Sequence, residues 1–166
     1  MRWIEVGPQR AVQLDAEPAG LPTEGYLWLD VRHDEAIADP EALRSAVERV
    51  AKIRIFDLHL QDAVYLQHPS YFDATNQYDM LVFRKLAYAE LPPFEESGNA
   101  DSRRALQEIV TRPITFFVMD RLLVTVRDGT SKTVEAICQR LLDSRRGNDV
   151  SPFDKTRLPA RPEELM

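Results

Sequence analysis

Apolar residues recur along this chain in short runs and in helical repeats, and polar segments separate them. The runs rich in branched and aromatic residues, bounded by glycine, proline and acids, predict about seven strands. We predict strands at residues 1–6, 10–15, 26–31, 71–73, 78–86, 113–119 and 122–127. Residues 80–83 are apolar at every position, which is typical of a strand that is covered on both faces.

Three other stretches carry apolar residues three and four positions apart, the spacing of an amphipathic helix. These helices are predicted from Asp39 to Lys52, from Asp57 to Pro69, and from Thr130 or Ser131 to Leu142. Asp39 and Asp57 are predicted N-caps, because a carboxylate can accept the free N–H groups of a first turn. The polar residues 32–39 are predicted to be loop.

Length and composition indicate one soluble domain with its own core. The chain has 166 residues, of which 44% are hydrophobic and 29% charged, with a single cysteine, Cys138. One cysteine excludes an internal disulfide and fits a reducing compartment. No apolar stretch approaches the roughly 20 residues of a membrane helix, so the sequence as it stands is predicted not to cross a bilayer.

The charge distribution bears on the partners. The net charge is −6 and no dense Lys/Arg run occurs, so nucleic acid is not an expected partner. An acidic surface suits cations, although it also serves solubility alone.

Two segments differ from the rest of the predicted domain, which spans residues 1–160. Residues 91–104 contain two prolines, a glycine and three acids, and we expect a mobile surface excursion there. Residues 161–166 begin with Arg161-Pro162-Glu163-Glu164, the pattern of a helix N-terminus, yet the sequence stops after about one turn. We interpret this segment as the truncated start of a longer helix.

Five stretches, in order and in register, resemble segments of one protein family. Residues 26–31 (YLWLDV) resemble its W-I-D-L strand, and residues 58–63 (LHLQDA) resemble its L-x-L-E-D helix. Residues 68–84 resemble its R-P-K-x-E to F-L-V-L-R segment, residues 114–126 its I-x-x-F-L to L-I-T-V segment, and residues 134–142 its V-R-E-R-L helix. From about residue 24 onward, the chain resembles the N-terminal cytoplasmic domain of CorA-type divalent-cation (magnesium) transporters.

This resemblance implies a fold and a setting. The fold expected is α+β, a three-layer α/β/α sandwich around a mixed sheet of about seven strands. Family members are homopentamers in which this domain leads into a stalk helix and two transmembrane helices, all absent from the printed sequence. The full-length protein would place the domain at the cytoplasmic face of the inner or plasma membrane, whereas this fragment would be soluble. The resemblance implies a regulatory domain with no enzymatic activity, catalytic residue or substrate.

The resemblance also implies one metal ligand, Asp62. In the family, Mg²⁺ or another divalent cation bound between neighbouring cytoplasmic domains holds the pore closed, and Asp62 matches an interfacial ligand. The acid that precedes it in the family is Gln61 here, and the partner carboxylates lie on the missing stalk helix. Asp62 alone cannot form a strong site, because Mg²⁺ and Ca²⁺ require several oxygen ligands. An ordinary exposed helix acid is the alternative interpretation of Asp62.

Other functions remain open on the sequence. One is a zinc, cobalt or nickel transporter of the same superfamily. Another is a stand-alone α/β hydrolase or ligand-binding module using His59 and Asp62, which lie three residues apart on one helix face. The remaining polar candidates have simpler interpretations: His33 as loop, His68 as turn, Cys138 as core, and Asp34, Glu35, Asp39 and Glu41 as a solvated or loosely cation-attracting face.

Overall fold

A computed structural model describes residues 1–86, 111–129, 131–143 and 159–165. These residues form one mixed sheet with helices on both of its faces. The strands are β1 (Arg2–Val6), β2 (Ala11–Leu14), β3 (Tyr26–Arg32), β4 (Tyr71–Ala74), β5 (Asp79–Leu86), β6 (Thr111–Val118) and β7 (Leu122–Arg127). The helices are α1 (His33–Ala38), α2 (Pro40–Ala51), α3 (Asp57–Val64) and α4 (Lys132–Asp143), and a 3₁₀ turn spans Pro162–Leu165.

The strand order is β2-β1-β3-β7-β6-β5-β4. Strands β3 and β7 are parallel, and every other neighbouring pair is antiparallel. The register places Asp30 of β3 beside Thr125 of β7 at the centre of the sheet. The predicted mixed, seven-stranded α+β fold is confirmed.

Alternation along the central strands divides the core between the two faces of the sheet. Leu27, Leu29 and Val31 of β3 belong to one cluster, with the buried residues of α1, α2 and α3. Tyr26 and Trp28 belong to a second cluster, with the buried residues of α4. The helices therefore form the two outer layers expected for a three-layer sandwich.

Several local predictions are confirmed. The Asp39 carboxylate accepts the backbone N–H of Ala42 at 2.9 Å and caps α2. Lys52 ends that helix in the left-handed conformation, with φ of 60°. The predicted strands at 113–119 and 122–127 leave two residues between them, and Asp120 and Arg121 form the turn of the β6–β7 hairpin, where the N–H of Met119 donates to the carbonyl of Leu122 at 2.9 Å.

The prediction of loop at residues 32–39 is wrong, because α1 occupies His33–Ala38. This six-residue helix has one buried side chain, Ala36, so it carries no apolar repeat that a periodicity search would find. It is held instead by local polar contacts: Glu35 accepts the backbone N–H of Arg32 at 3.1 Å and the N-terminal amine of Met1 at 2.7 Å.

Both ends of α3 differ from the prediction. Phe56, not Asp57, is the N-cap, and it offers no side-chain acceptor. Asp57 instead forms an ion pair with Arg44 of α2 at 2.5 Å. The helix ends at Val64 rather than at Pro69, since Tyr65 is extended and its carbonyl accepts the N–H of His68 in a turn.

Some predictions fall outside the described residues, namely the excursion at 91–104 and the capping role of Thr130. The 3₁₀ turn at Pro162–Leu165 lies where a helix start was predicted, and its continuation into a longer helix stays a prediction. Within the described part of the chain, none of the helices has the length and apolarity that crossing a bilayer requires.

Candidate functional site

Helix α3 carries both candidate residues, but it points them in different directions. His59 is buried, with 4% of its surface exposed, and its ring faces the sheet. Asp62 is partly exposed, and its Oδ1 lies 3.6 Å from Nε2 of His68. The ring nitrogens of His59 contact Tyr78 and Asp73 instead of Asp62. The two residues that the hydrolase alternative requires therefore do not form a pair.

The contacts of His59 place a proton on its Nε2, because the carboxylate oxygen that faces this nitrogen is an acceptor. The Tyr78 hydroxyl accepts the backbone N–H of Phe56 at 3.0 Å, so its own proton is free to bond Nδ1 of His59 at 2.8 Å. Nε2–H of His59 then donates to Oδ2 of Asp73 at 3.0 Å. Burial raises the pKa of Tyr78, which keeps the phenol protonated. This chain of hydrogen bonds ties α3 to β4 and to the turn between β4 and β5, and it leaves Asp62 outside.

The outer face of α3, which we define as Leu58, Asp62 and Tyr65, is an acid between two exposed apolar side chains. The three residues follow the i, i+4, i+7 spacing, with Tyr65 as the C-cap. Leu58 is 63% exposed and Tyr65 is 55% exposed. Leu66 and Tyr71 are exposed in the segment that follows. Contiguous exposed apolar groups of this kind are typical of protein contact surfaces.

One copy of the chain does not offer a complete metal site at Asp62. Among the described residues, no group of three or more His, Cys, Asp or Glu side chains is placed to hold a metal ion. Asp62 has one such neighbour, His68, and the next residue on its N-terminal side is the neutral Gln61. Because Mg²⁺ prefers about six oxygen ligands, any site here needs carboxylates from another segment or another copy.

The acidic residues near α1 each have a protein partner. Glu35 binds the N-terminal amine of Met1, Asp39 caps α2, and Glu41 lies 3.2 Å from Arg44. Asp34 pairs with Arg32. His33, predicted to lie in a loop, contacts the carbonyl of Val64 through Nε2 at 2.8 Å and so links α1 to α3. These contacts account for the cluster without a bound cation.

A buried ionic cluster, which the sequence motifs did not indicate, lies at the centre of the sheet. The Asp30 carboxylate accepts two hydrogen bonds from Arg127, at 2.9 and 2.7 Å, and one from Arg2 at 2.8 Å. Glu135 of α4 accepts further bonds from both arginines. A signal was present in the sequence, because an acid inside an apolar strand must find a partner when the strand is buried.

Pairing with Arg127 keeps the buried carboxyl of Asp30 ionised. Burial alone would raise the pKa of Asp30, but the hydrogen bonds and charge of Arg127 hold it below its usual value. Cys138 of α4, predicted to be core, is fully buried beside the cluster, and Nη2 of Arg2 donates to its Sγ at 3.0 Å. Burial raises the pKa of this thiol to about 12, so it is not a nucleophile at neutral pH.

The fold is similar to several solved structures. The full-length CmaX protein superposes with a TM-score of 0.59 at 11% identity, over 87% of this chain and 39% of that one. The ZntB cytoplasmic domain from Vibrio parahaemolyticus RIMD 2210633 gives 0.56 at 12% identity, over 87% and 50%. The CorA magnesium transporter from Methanocaldococcus jannaschii gives 0.55 at 12% identity, over 92% and 39%.

These similarities establish a shared fold, the fold of CorA-type soluble domains, at identities too low to carry a function across. The chain spans half or less of the length of each of these structures. Neither a protein-family model nor a curated protein matches the sequence.

Proposed function

We propose that this chain is the cytoplasmic regulatory domain of a CorA-like divalent-cation transporter, with stalk and transmembrane helices encoded beyond residue 166. One observation carries the proposal: the fold matches 87–92% of this chain to proteins that include a magnesium transporter and a ZntB cytoplasmic domain, while covering only 39–50% of their length. Mg²⁺ is the cation we favour, and zinc, cobalt or nickel are the alternatives within the same superfamily. The domain would lie at the cytoplasmic face of the membrane.

In this proposal the outer face of α3 meets a neighbouring copy, and a cation bridges Asp62 to that copy's acids. The partial exposure of Asp62 between exposed apolar side chains supports this role, because covering the apolar side chains is favourable and a bound cation would compensate the desolvation of the carboxylate. Metal bound at the junction would stabilise the closed homopentamer, and its loss would free the domains to move. When the free cation concentration is 100 times the Kd of the site, binding stabilises the closed state by about 2.7 kcal/mol.

The first test is the gene. A reading frame that continues past codon 166 into a long helix and two apolar segments of about 20 residues supports the proposal. A stop codon directly after Met166 contradicts it and favours a stand-alone module.

The second test concerns Asp62 and uses the protein with that continuation. We expect Mg²⁺ to protect it from proteolysis, and the Mg²⁺ concentration for half-protection to rise at least tenfold in Asp62→Asn. Asp120→Asn is the matched control, since this acid lies in the β6–β7 turn with 96% of its side chain exposed. For the chain of 166 residues, calorimetric titration with Mg²⁺ should give a weak heat that Asp62→Ala removes. Equal responses of the parent and both Asp62 variants would exclude Asp62 as a ligand.

A further inference from the structure

A cavity of about 240 Å³ lies between α4 and the sheet, on the face opposite α1, α2 and α3. Its walls are mostly apolar: Trp28 of β3, Ile114 and Phe116 of β6, Leu123 of β7, and Ile137 of α4. At roughly 30 Å³ per water molecule in the liquid, the space equals about eight waters. It is therefore slightly smaller than the pockets that hold drug-sized ligands.

The polar groups deep in this cavity are already paired. Trp28 donates its indole N–H to the Thr125 hydroxyl at 3.0 Å, and that hydroxyl donates its proton to Asp30 at 2.8 Å. Neither group has a proton left for a ligand. A ligand that enters at this end would therefore contact it as if it were apolar.

Lys85 of β5 also lines the cavity, and it brings an ammonium group to an apolar surface. None of the described residues accepts a hydrogen bond from its Nζ or lies within ion-pair distance of it. Burial lowers the pKa of Lys85; the charge of Asp128 opposes this shift, and the charge of Arg127 adds to it. A partly desolvated ammonium that has no anion within ion-pair distance among the described residues gains from an anion that arrives with a ligand.

We propose that this cavity binds a small amphipathic anion, with an apolar tail of about eight carbon atoms between α4 and the sheet and a carboxylate at Lys85. The cavity volume sets the tail length, the paired state of Trp28 and Thr125 makes the deep end apolar, and Lys85 sets the sign of the charge. The site lies on the face of the sheet opposite α3, so it does not depend on the transporter role.

Octanoate, 1-octanol and octylammonium are the matched probes, because each has a linear chain of eight carbon atoms and they differ in charge. The readout is a ¹H–¹⁵N NMR titration of the 166-residue chain, whose two indole signals come from Trp28 and Trp3. We expect octanoate to shift the Trp28 signal and to bind at least tenfold more tightly than octanol, with octylammonium weakest. The Trp3 signal should not move, because Trp3 belongs to the core on the other face.

Two variants test the roles of charge and volume. Lys85→Met should reduce octanoate affinity to that of octanol and leave octanol affinity unchanged. The control Lys132→Met, which removes an exposed charge outside the cavity, should change neither affinity. Ile137→Phe should weaken both probes by filling the space. Equal binding of octanoate and octanol to the parent chain, an unchanged octanoate affinity in Lys85→Met, or no shift of the Trp28 signal at millimolar octanoate would each overturn the proposal.

Discussion

Replacing Asp30 by asparagine should destabilise the chain more than any change to a surface acid. The side chain of Asp30 is 3% exposed, and it accepts hydrogen bonds from Arg127, Arg2 and Thr125. Asparagine keeps the shape but removes the negative charge, so the Arg127 guanidinium, itself 5% exposed, loses its closest compensating anion. Breaking a buried pair by removing one partner costs about 3–5 kcal/mol.

Urea unfolding measures this cost. With a denaturant slope of about 2 kcal/mol/M, a loss of 3–5 kcal/mol moves the midpoint down by roughly 1.5–2.5 M without changing the slope. Such a loss is a large share of the about 5–15 kcal/mol that a domain has in total.

The ion pair of Asp30 and Arg127 also predicts how the unfolding free energy depends on pH. Because the pKa of Asp30 is lower in the folded state, its stabilisation is fully present above the unfolded pKa of about 3.9 and is lost as the pH falls through the folded pKa. The difference in unfolding free energy between the parent and Asp30→Asn should therefore be constant from pH 5 to 7 and should shrink below about pH 4.

Asp34→Asn is the matched control, since Asp34 also pairs with an arginine but is exposed to solvent. It should leave the midpoint unchanged within error. A midpoint for Asp30→Asn equal to that of Asp34→Asn, or a free-energy difference that persists undiminished at pH 2–3, would refute the account of the buried cluster.

Three further outcomes follow from the packing. Gly25→Ala should lose more than about 1 kcal/mol of unfolding free energy in the urea assay. The reason is that Gly25 has φ of +73° and an added Cβ would lie 2.0 Å from the Val6 carbonyl oxygen. Gly20→Ala, with open space around it, should be neutral in the same assay. Cys138 should react with a thiol reagent only as fast as the chain unfolds, and rapid labelling in native buffer would contradict its burial. His59→Leu should cost about 1–3 kcal/mol of unfolding free energy, and in the parent chain ¹⁵N NMR should find a proton on Nε2 of the ring.

The sheet was predictable because its signal is local. Strands β3 and β7 fall within one residue of the predicted ranges, since each is a continuous run of residues that are buried on both faces. Helix α1 lacked such a signal, because its six residues bury only Ala36. The resemblance of five segments in register supplied the layer arrangement, which periodicity alone does not give.

The site was less predictable because its contacts are distant in sequence. The spacing of His59 and Asp62 correctly placed both on one helix, but the partners of His59 come from β4 and from the turn after it, 14 and 19 positions further along the chain. The N-cap prediction at Asp57 failed for a similar reason, since Arg44 of α2 lies close enough to bind that carboxylate. Helical spacing reports which residues share an element and not which residues lie opposite them.

The position of Asp62 is therefore set by the sheet more than by its own helix. Helix α3 has eight residues and an N-cap without a side-chain acceptor, and a helix this short does not persist alone. The His59 contacts with Asp73 and Tyr78 fasten it to β4, the edge strand, and to the turn between β4 and β5. The buried histidine thus holds the helix that carries Asp62 in a fixed position against this edge of the sheet.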